Sequence, residues 1–442
     1  MRNMIPAITT IVASLACSTS YAHTFVTDPN KPCNSRPIEG DYMITFKEPV
    51  GSDQRIIDSP NERNRGKVAF GEHTSGQNKQ SLIANLNIKG EIVSILDSLN
   101  AIHVKMDVNE AKRFSNDKRV LRVEQNITGC TAASQTGPGW GLDRMDQSST
   151  TLNNKYNYNY TGVGSHVYVL DTGLTTTASV RNSEFGTRVR FEYDVDNSGN
   201  ANDCNGHGTQ VASVIAGNTK GIAKGAMLHI AKVTQGCTSY TDFNTLTTAF
   251  NWLAGNAAAG TIVNFSLDFN TGGNCSLGQQ NINASLSSAI VNAYNKGIII
   301  VAAAGNDGCD TVNYSPTNLA EVFAVGATSN LTVNKDALID YAVGGVSYKS
   351  RKGTNISAFA PGYYVNTINQ NGVNAWGHGT SFSAGYISGV FAVACQAFQP
   401  ACSTNIGTIY GGLRNTGVLN TVTESSGSVL TGATSRFIWQ QW

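Results

Sequence analysis

Gly297-Ile-Ile-Ile-Val-Ala-Ala-Ala304 carries no polar side chain from end to end. A run this short and this apolar reads as a strand buried on both faces, as a parallel sheet covered by helices requires. Working outward, Ser285–Asn295 just before it has helical spacing, and Thr261-Ile-Val-Asn-Phe-Ser-Leu267 reads as a second buried strand. Upstream, Thr245–Ala258 reads as a helix, Ala226–Val233 as a strand, and Thr209–Gly217 as a helix through Val211, Val214 and Ile215. Ser165-His-Val-Tyr-Val-Leu170 is β-rich, and Tyr386–Phe398 is an apolar helix. This alternation predicts an α/β fold with a mainly parallel, doubly wound sheet. In such sheets reactive groups gather at the carboxyl ends of the strands.

The front of the chain is different. Residues 1–131 hold 16 Lys+Arg and 14 Asp+Glu, whereas the 311 that follow hold only 15 and 16. Within it, 40–125 reads as a small α+β unit. Strands are expected at Asp41–Phe46, Glu91–Leu96, Ala101–Met106 and Val120–Glu124, with helices at Gln80–Leu86 and Asn109–Asp117. That order is β-α-β-β-α-β, the order of a ferredoxin-like module. It holds no catalytic constellation, and the composition changes at Gly129–Gly139. Ahead of it, Arg2, the apolar run Met4–Ala16 and Ser20-Tyr-Ala22 have the form of a secretory signal peptide over residues 1–22.

A formal net charge of +1 excludes the basic surplus that electrostatic nucleic-acid binding needs. No later apolar stretch is long enough to span a bilayer, so no membrane association is expected. Of nine cysteines, Cys17 falls in the signal segment and Cys33 and Cys130 in the charged front. Cys204, Cys237, Cys275, Cys309, Cys395 and Cys402 form an even set, which in an exported chain suggests disulfides, with fifteen pairings open. Zinc is disfavoured because no Cys-x-x-Cys pair occurs.

Four polar residues stand where chemistry is expected. Asp171 directly follows Val167-Tyr-Val-Leu170, where a half-buried carboxylate could orient an imidazole. His207 lies in Gly206-His-Gly-Thr209 at the start of a helix. Ser381 lies in Gly379-Thr-Ser-Phe-Ser-Ala-Gly385, where backbone N–H groups favour a developing negative charge. Asn306 follows Ala303-Ala-Gly305 and offers a side-chain amide to the same oxyanion. Singly, each is an ordinary structural residue. Together, the chain order Asp, His, Ser is that of one serine-protease class.

These segments resemble subtilisin-like serine proteases, the subtilases, and within them the proteinase K-like branch. Val167–Gly173, Asp203–Thr209, Ala302–Asp307 with Asn313-Tyr-Ser-Pro316, and Gly379–Ala384 match four of its motifs in order. The resemblance covers roughly 132–400, and Gln135–Arg144 looks like the mature N-terminus. It implies a peptidase domain over 132–442 and an inhibitory, folding-assisting propeptide over 23–131, removed by cleavage near Ala132 or Ala133. It implies a secreted monomeric endopeptidase acting on protein substrates, with Asp171, His207 and Ser381 as triad. Asn306 and the Ser381 backbone N–H would form the oxyanion hole. By the same resemblance Ser266, Leu267 and Asp268 line the primary side-chain pocket together with Ala303, Ala304 and Gly305. Cys204–Cys237 is the implied disulfide, with Cys275–Cys309 and Cys395–Cys402 as further pairings.

The chain departs from the pattern in places. Gln210 replaces a second histidine, Phe382 the usual Met, and Gly385 a proline-containing helix start. Asp268 stands where glycine is usual. It reads as a solvent-facing carboxylate, with a narrowed or base-selecting pocket as the alternative. No cofactor for catalysis is implied. The family's calcium site is expected to be absent, because Ser357 occupies the place of its usual ligand acid, and a structural calcium elsewhere is left open. His378 repeats the Gly-His-Gly-Thr pattern three residues before Ser381, too close for a productive base, and reads as a pocket-rim residue. An aspartic protease would need a second Asp-Thr/Ser-Gly, and an α/β-hydrolase Gly-x-Ser-x-Gly. Neither is present. The rival of another class is a secreted, catalytically silent binding protein.

Overall fold

The computed structural model describes residues 37–47, 83, 86–96, 100–127, 133–269, 275, 282–332, 335–343, 346–398, 401–417, 422–423 and 437–438. The signal segment, most of the expected helix Gln80–Leu86, Cys17, Cys33, Cys130 and the expected cleavage region before Ala133 lie outside the described residues.

The small unit contains β1 (Pro37–Phe46), β2 (Glu91–Leu96), β3 (Ala101–Lys105), α1 (Val108–Ser115) and β4 (Val120–Ile127). The strands form one antiparallel sheet in the order β2-β3-β1-β4. Asp107 caps α1 by accepting from the N–H groups of Asn109 and Glu110, the role that favours Asp at this position. Ile44, Ile102, Val104 and Phe114 form its core.

The large unit opens with β5 (Ala133–Thr136), which pairs with β6 (Lys155–Tyr158). There follow β7 (His166–Asp171), β8 (Val189–Asp194), α2 (His207–Ala216), β9 (Met227–Lys232), α3 (Phe243–Asn256), β10 (Ile262–Phe265) and α4 (Ala284–Asn295). Next come β11 (Ile299–Ala303), β12 (Val322–Thr332), β13 (Lys335–Leu338), β14 (Ile356–Pro361), α5 (Thr380–Ala397), α6 (Ile406–Thr416) and β15 (Val422–Thr423). Seven strands run parallel in the order β8-β9-β7-β10-β11-β12-β14, and β13 extends β12 antiparallel. The fold class is the expected one.

Alternation along the strands divides the core into two layers. Val167, Val169, Ile299 and Val301 face Val211, Val214, Ile387 and Val390 on α2 and α5. Tyr168, Leu170, Val263 and Ile300 face Phe250, Leu253, Leu286 and Ile290 on α3 and α4. The strand order reverses direction at β7, and in open parallel sheets ligands bind in the crevice beside such a switch point. Asp171 is the last residue of β7.

Two helix starts differ from expectation. α2 begins at His207 rather than near Thr209, and the apolar helix begins at Thr380 rather than Tyr386. The glycines in 379–389 lower helix propensity, but nearly every residue of α5 is buried, and packing overrides that preference.

Candidate active site

Asp171 is 0% exposed at the tip of β7. Its Oδ1 accepts from the Thr172 N–H at 2.7 Å and pairs with His207 Nδ1 at 2.7 Å. Burial pulls the His207 pKa down, but the charge and hydrogen bond of Asp171, with the charge of Asp203 behind it, outweigh this and raise it above the free-imidazole value. Phe382 packs its ring at 61° to the imidazole, 5.8 Å away, on the side of α5.

The His207 backbone is held by a cradle that motif reading did not single out. Buried Asp203 accepts from the N–H groups of Asn205, Gly206 and Thr209 and from the hydroxyls of Thr172 and Thr209. Thr172 Oγ1 in turn accepts from the Gly208 N–H at 2.8 Å. Asp171 and His207 are therefore tied together twice, once through their side chains and once through Thr172 and Asp203. An aspartate four residues before a helix-starting histidine, in a loop rich in Asn and Gly, is the sequence signal for such a cradle.

Ser381 lies in the first turn of α5 and is 7% exposed. Its Oγ donates to the Ser266 carbonyl at 3.0 Å, not to His207, while Ser266 Oγ donates to the Ser381 carbonyl at 2.9 Å. Asn264 donates to Ser266 Oγ and accepts from Ser388 Oγ, so β10 grips α5 at two turns. Asn306 Oδ1 accepts from the Thr380 N–H at 2.9 Å and from its hydroxyl at 3.2 Å. With its oxygen anchored on the turn that carries Ser381, the amide keeps Nδ2 as a donor. Leu267, Ala303 and Ala304 are buried beside this group.

Residues 89–416 match the Subtilase family. The chain belongs to the subtilase family. It is 32% identical over 316 residues to the extracellular serine proteinase of Thermus sp. (strain Rt41A), covering 70% of this subtilase and 69% of that protein. It is 27% identical over 434 residues to the alkaline proteinase of Hapsidospora chrysogena, covering 94% of each. The crystal structure of a cold adapted subtilisin-like serine proteinase superposes with a TM-score of 0.58 at 29% identity, covering 69% of this chain and 98% of that one. The protein is a serine-type endopeptidase, and subtilases need no cofactor for catalysis.

Three features of this subtilase correct or sharpen the motif reading. Asp268 does not face solvent. Its side chain is 15% exposed and its Oδ1 lies 2.9 Å from Arg351 Nη1, because a buried guanidinium draws the carboxylate inward. His378 sits against the rings of Tyr364, Tyr363 and Tyr348, with its pKa lowered by burial. Disulfides join Cys204 to Cys237, Cys275 to Cys309 and Cys395 to Cys402.

The residues around Ser357 do not fit a calcium ion. Arg414 donates to Ser357 Oγ from Nη2 at 2.8 Å and from Nε at 3.3 Å, placing a cation against a neutral hydroxyl. Among the described residues, no group of three or more His, Cys, Asp or Glu is placed to hold a metal.

Proposed function

We propose that this subtilase is a secreted endopeptidase that cleaves proteins with Asp171, His207 and Ser381 and is made as a self-processed zymogen. The observation that supports this most directly is the 2.7 Å bond between His207 Nδ1 and a wholly buried carboxylate. A buried carboxylate on Nδ1 holds the tautomer that leaves Nε2 as base and stabilises the imidazolium that forms.

Catalysis begins when Ser381 Oγ turns from the Ser266 carbonyl to Nε2 of His207; resting-state catalytic hydrogen bonds often tighten only with substrate. Oγ attacks the peptide carbonyl as His207 takes its proton. Asn306 Nδ2 and the Ser381 backbone N–H stabilise the oxyanion. His207 gives the proton to the departing amine, leaving an acyl-enzyme on Ser381. Water then attacks this ester, losing a proton to His207, which returns it to Ser381 as the acid leaves. Substrate backbone adds as a strand beside Ser266–Leu267 and the segment after Gly236. The 23–131 segment is the propeptide and intramolecular inhibitor, its folded part a ferredoxin-like module. Residues 1–22 direct export, and the mature enzyme is a monomer from about residue 132 to 442.

The test is the intact mass of secreted wild type beside Ser381→Ala, together with hydrolysis of unfolded casein. An active wild type beginning near Ala132 and an uncut, inert variant are expected. If both chains are cut at one place and neither hydrolyses casein, maturation is external and the catalytically silent binding protein becomes the better reading.

A further inference from the structure

Arg351 is 1% exposed, and its guanidinium lies between the two segments assigned to the pocket walls. On one side Nη1 reaches Asp268 Oδ1 at 2.9 Å and Nη2 donates to the Phe269 carbonyl at 3.1 Å. On the other, Nη1 donates to the Ala304 carbonyl at 3.3 Å, and the Arg351 backbone N–H to the Gly305 carbonyl at 2.9 Å. Asp307 grips the same group in a fork, Nε to Oδ1 and Nη2 to Oδ2, both at 2.6 Å. Tyr314 lies under it, with Cζ 3.3 Å from the ring centroid. A Cβ on Gly305 would fall 2.5 Å from Cζ, so the guanidinium presses against the backbone of the wall itself.

We propose that Arg351 is a specificity-determining residue that closes the primary pocket, making this subtilase a protease that cuts after small uncharged side chains such as alanine, glycine and serine. The inference rests on the pocket assignment in the proposed function. A side chain entering between the two walls meets the guanidinium rather than empty space. Displacing Arg351 strands two buried carboxylates, a penalty apolar contact does not recover. Two carboxylates and one guanidinium leave a negative balance that repels acidic side chains. A lysine or arginine needs the length of pocket that Arg351 fills, and a leucine or phenylalanine needs its width.

The experiment maps cleavage sites in unfolded casein by mass spectrometry and measures kcat/KM on succinyl-Ala-Ala-Pro-X p-nitroanilides, with X as Ala, Phe, Leu, Lys or Glu. Labelling of Ser381 with a fluorophosphonate is read in parallel. Wild type is expected to favour Ala over Phe by about tenfold or more, the scale at which pocket size discriminates. In Asp268→Gly/Asp307→Asn/Arg351→Ser, which removes the charges as a unit, the Ala-to-Phe ratio is expected to fall at least about tenfold. A labelled wild type that cuts after Phe, Leu or Lys overturns the inference and leaves the proposed function standing. No label and no casein cleavage overturns both. If the triple variant fails to fold, the wild-type panel and cleavage map decide.

Discussion

At the scale of single residues, the site is a matter of which charges face His207. Asp171 and Asp203 both stabilise its protonated form, so its pKa lies above the ordinary 6.5. A base must be neutral to accept the serine proton, so kcat/KM should rise through a pKa above 6.5 as pH increases. Asp203→Asn removes one of the raising charges, and the acidic limb of the kcat/KM profile should move to lower pH. A limb that stays in place would show that Asp203 acts only as scaffold. Asn306→Ala should lower kcat by about 10²–10³ with KM nearly unchanged, the usual effect of removing one oxyanion donor. A matching rise in KM with kcat intact would instead assign Asn306 to substrate binding. Ser381 and Asn306 were readable as motif residues because their positions at a helix start and a strand end are themselves written in local sequence. Arg351 was not readable, since its partners Asp268 and Asp307 are 83 and 44 positions away.

At the scale of elements, the approach of α5 to α2 places the serine and the histidine on one crevice. Glycine at position 389 permits it. A Cβ there would lie 2.6 Å from the Ile222 Cβ and 3.1 Å from the Ile215 carbonyl oxygen. Gly389→Ala improves helix propensity by up to about 1 kcal/mol, yet overpacking costs about 1–3 kcal/mol. The steric loss wins because backbone at the end of α2 cannot step aside without moving His207. The variant should lose roughly 2–8 °C in Tm by calorimetry, and an unchanged or higher Tm would show that the helices are not held at contact. Motif comparison marks Gly385 as a departure near the site and does not single out Gly389. Only the packed helix pair shows why a side chain is excluded.

At the scale of the whole molecule, Arg414 ties α6 to β14 where a metal-dependent design would use a carboxylate. Its guanidinium also lies 5.4 Å from the Phe323 ring and 5.6 Å from the Tyr410 ring. Arg414→Ala should lower Tm by a few degrees, as the loss of about 1–2 kcal/mol of charge-assisted contacts predicts. Millimolar calcium should not restore the loss. Recovery on adding calcium would mean that the residues around Ser357 accept a metal once the guanidinium is gone. The sheet class, the candidate residues Asp171, His207, Asn306 and Ser381, and the cysteine set are legible in the residues alone, because each depends on short-range pattern: apolar runs, glycine-bounded turns and strand ends. It took the folded chain to show that Asp268 turns inward, that Asp203 and Thr172 lock the histidine loop, that Arg351 sits between Asp268 and Asp307, and that Arg414 lies against Ser357. Those outcomes depend on charged groups from distant segments meeting in a low-dielectric interior, where a buried carboxylate needs a partner and no local pattern says which one it will find.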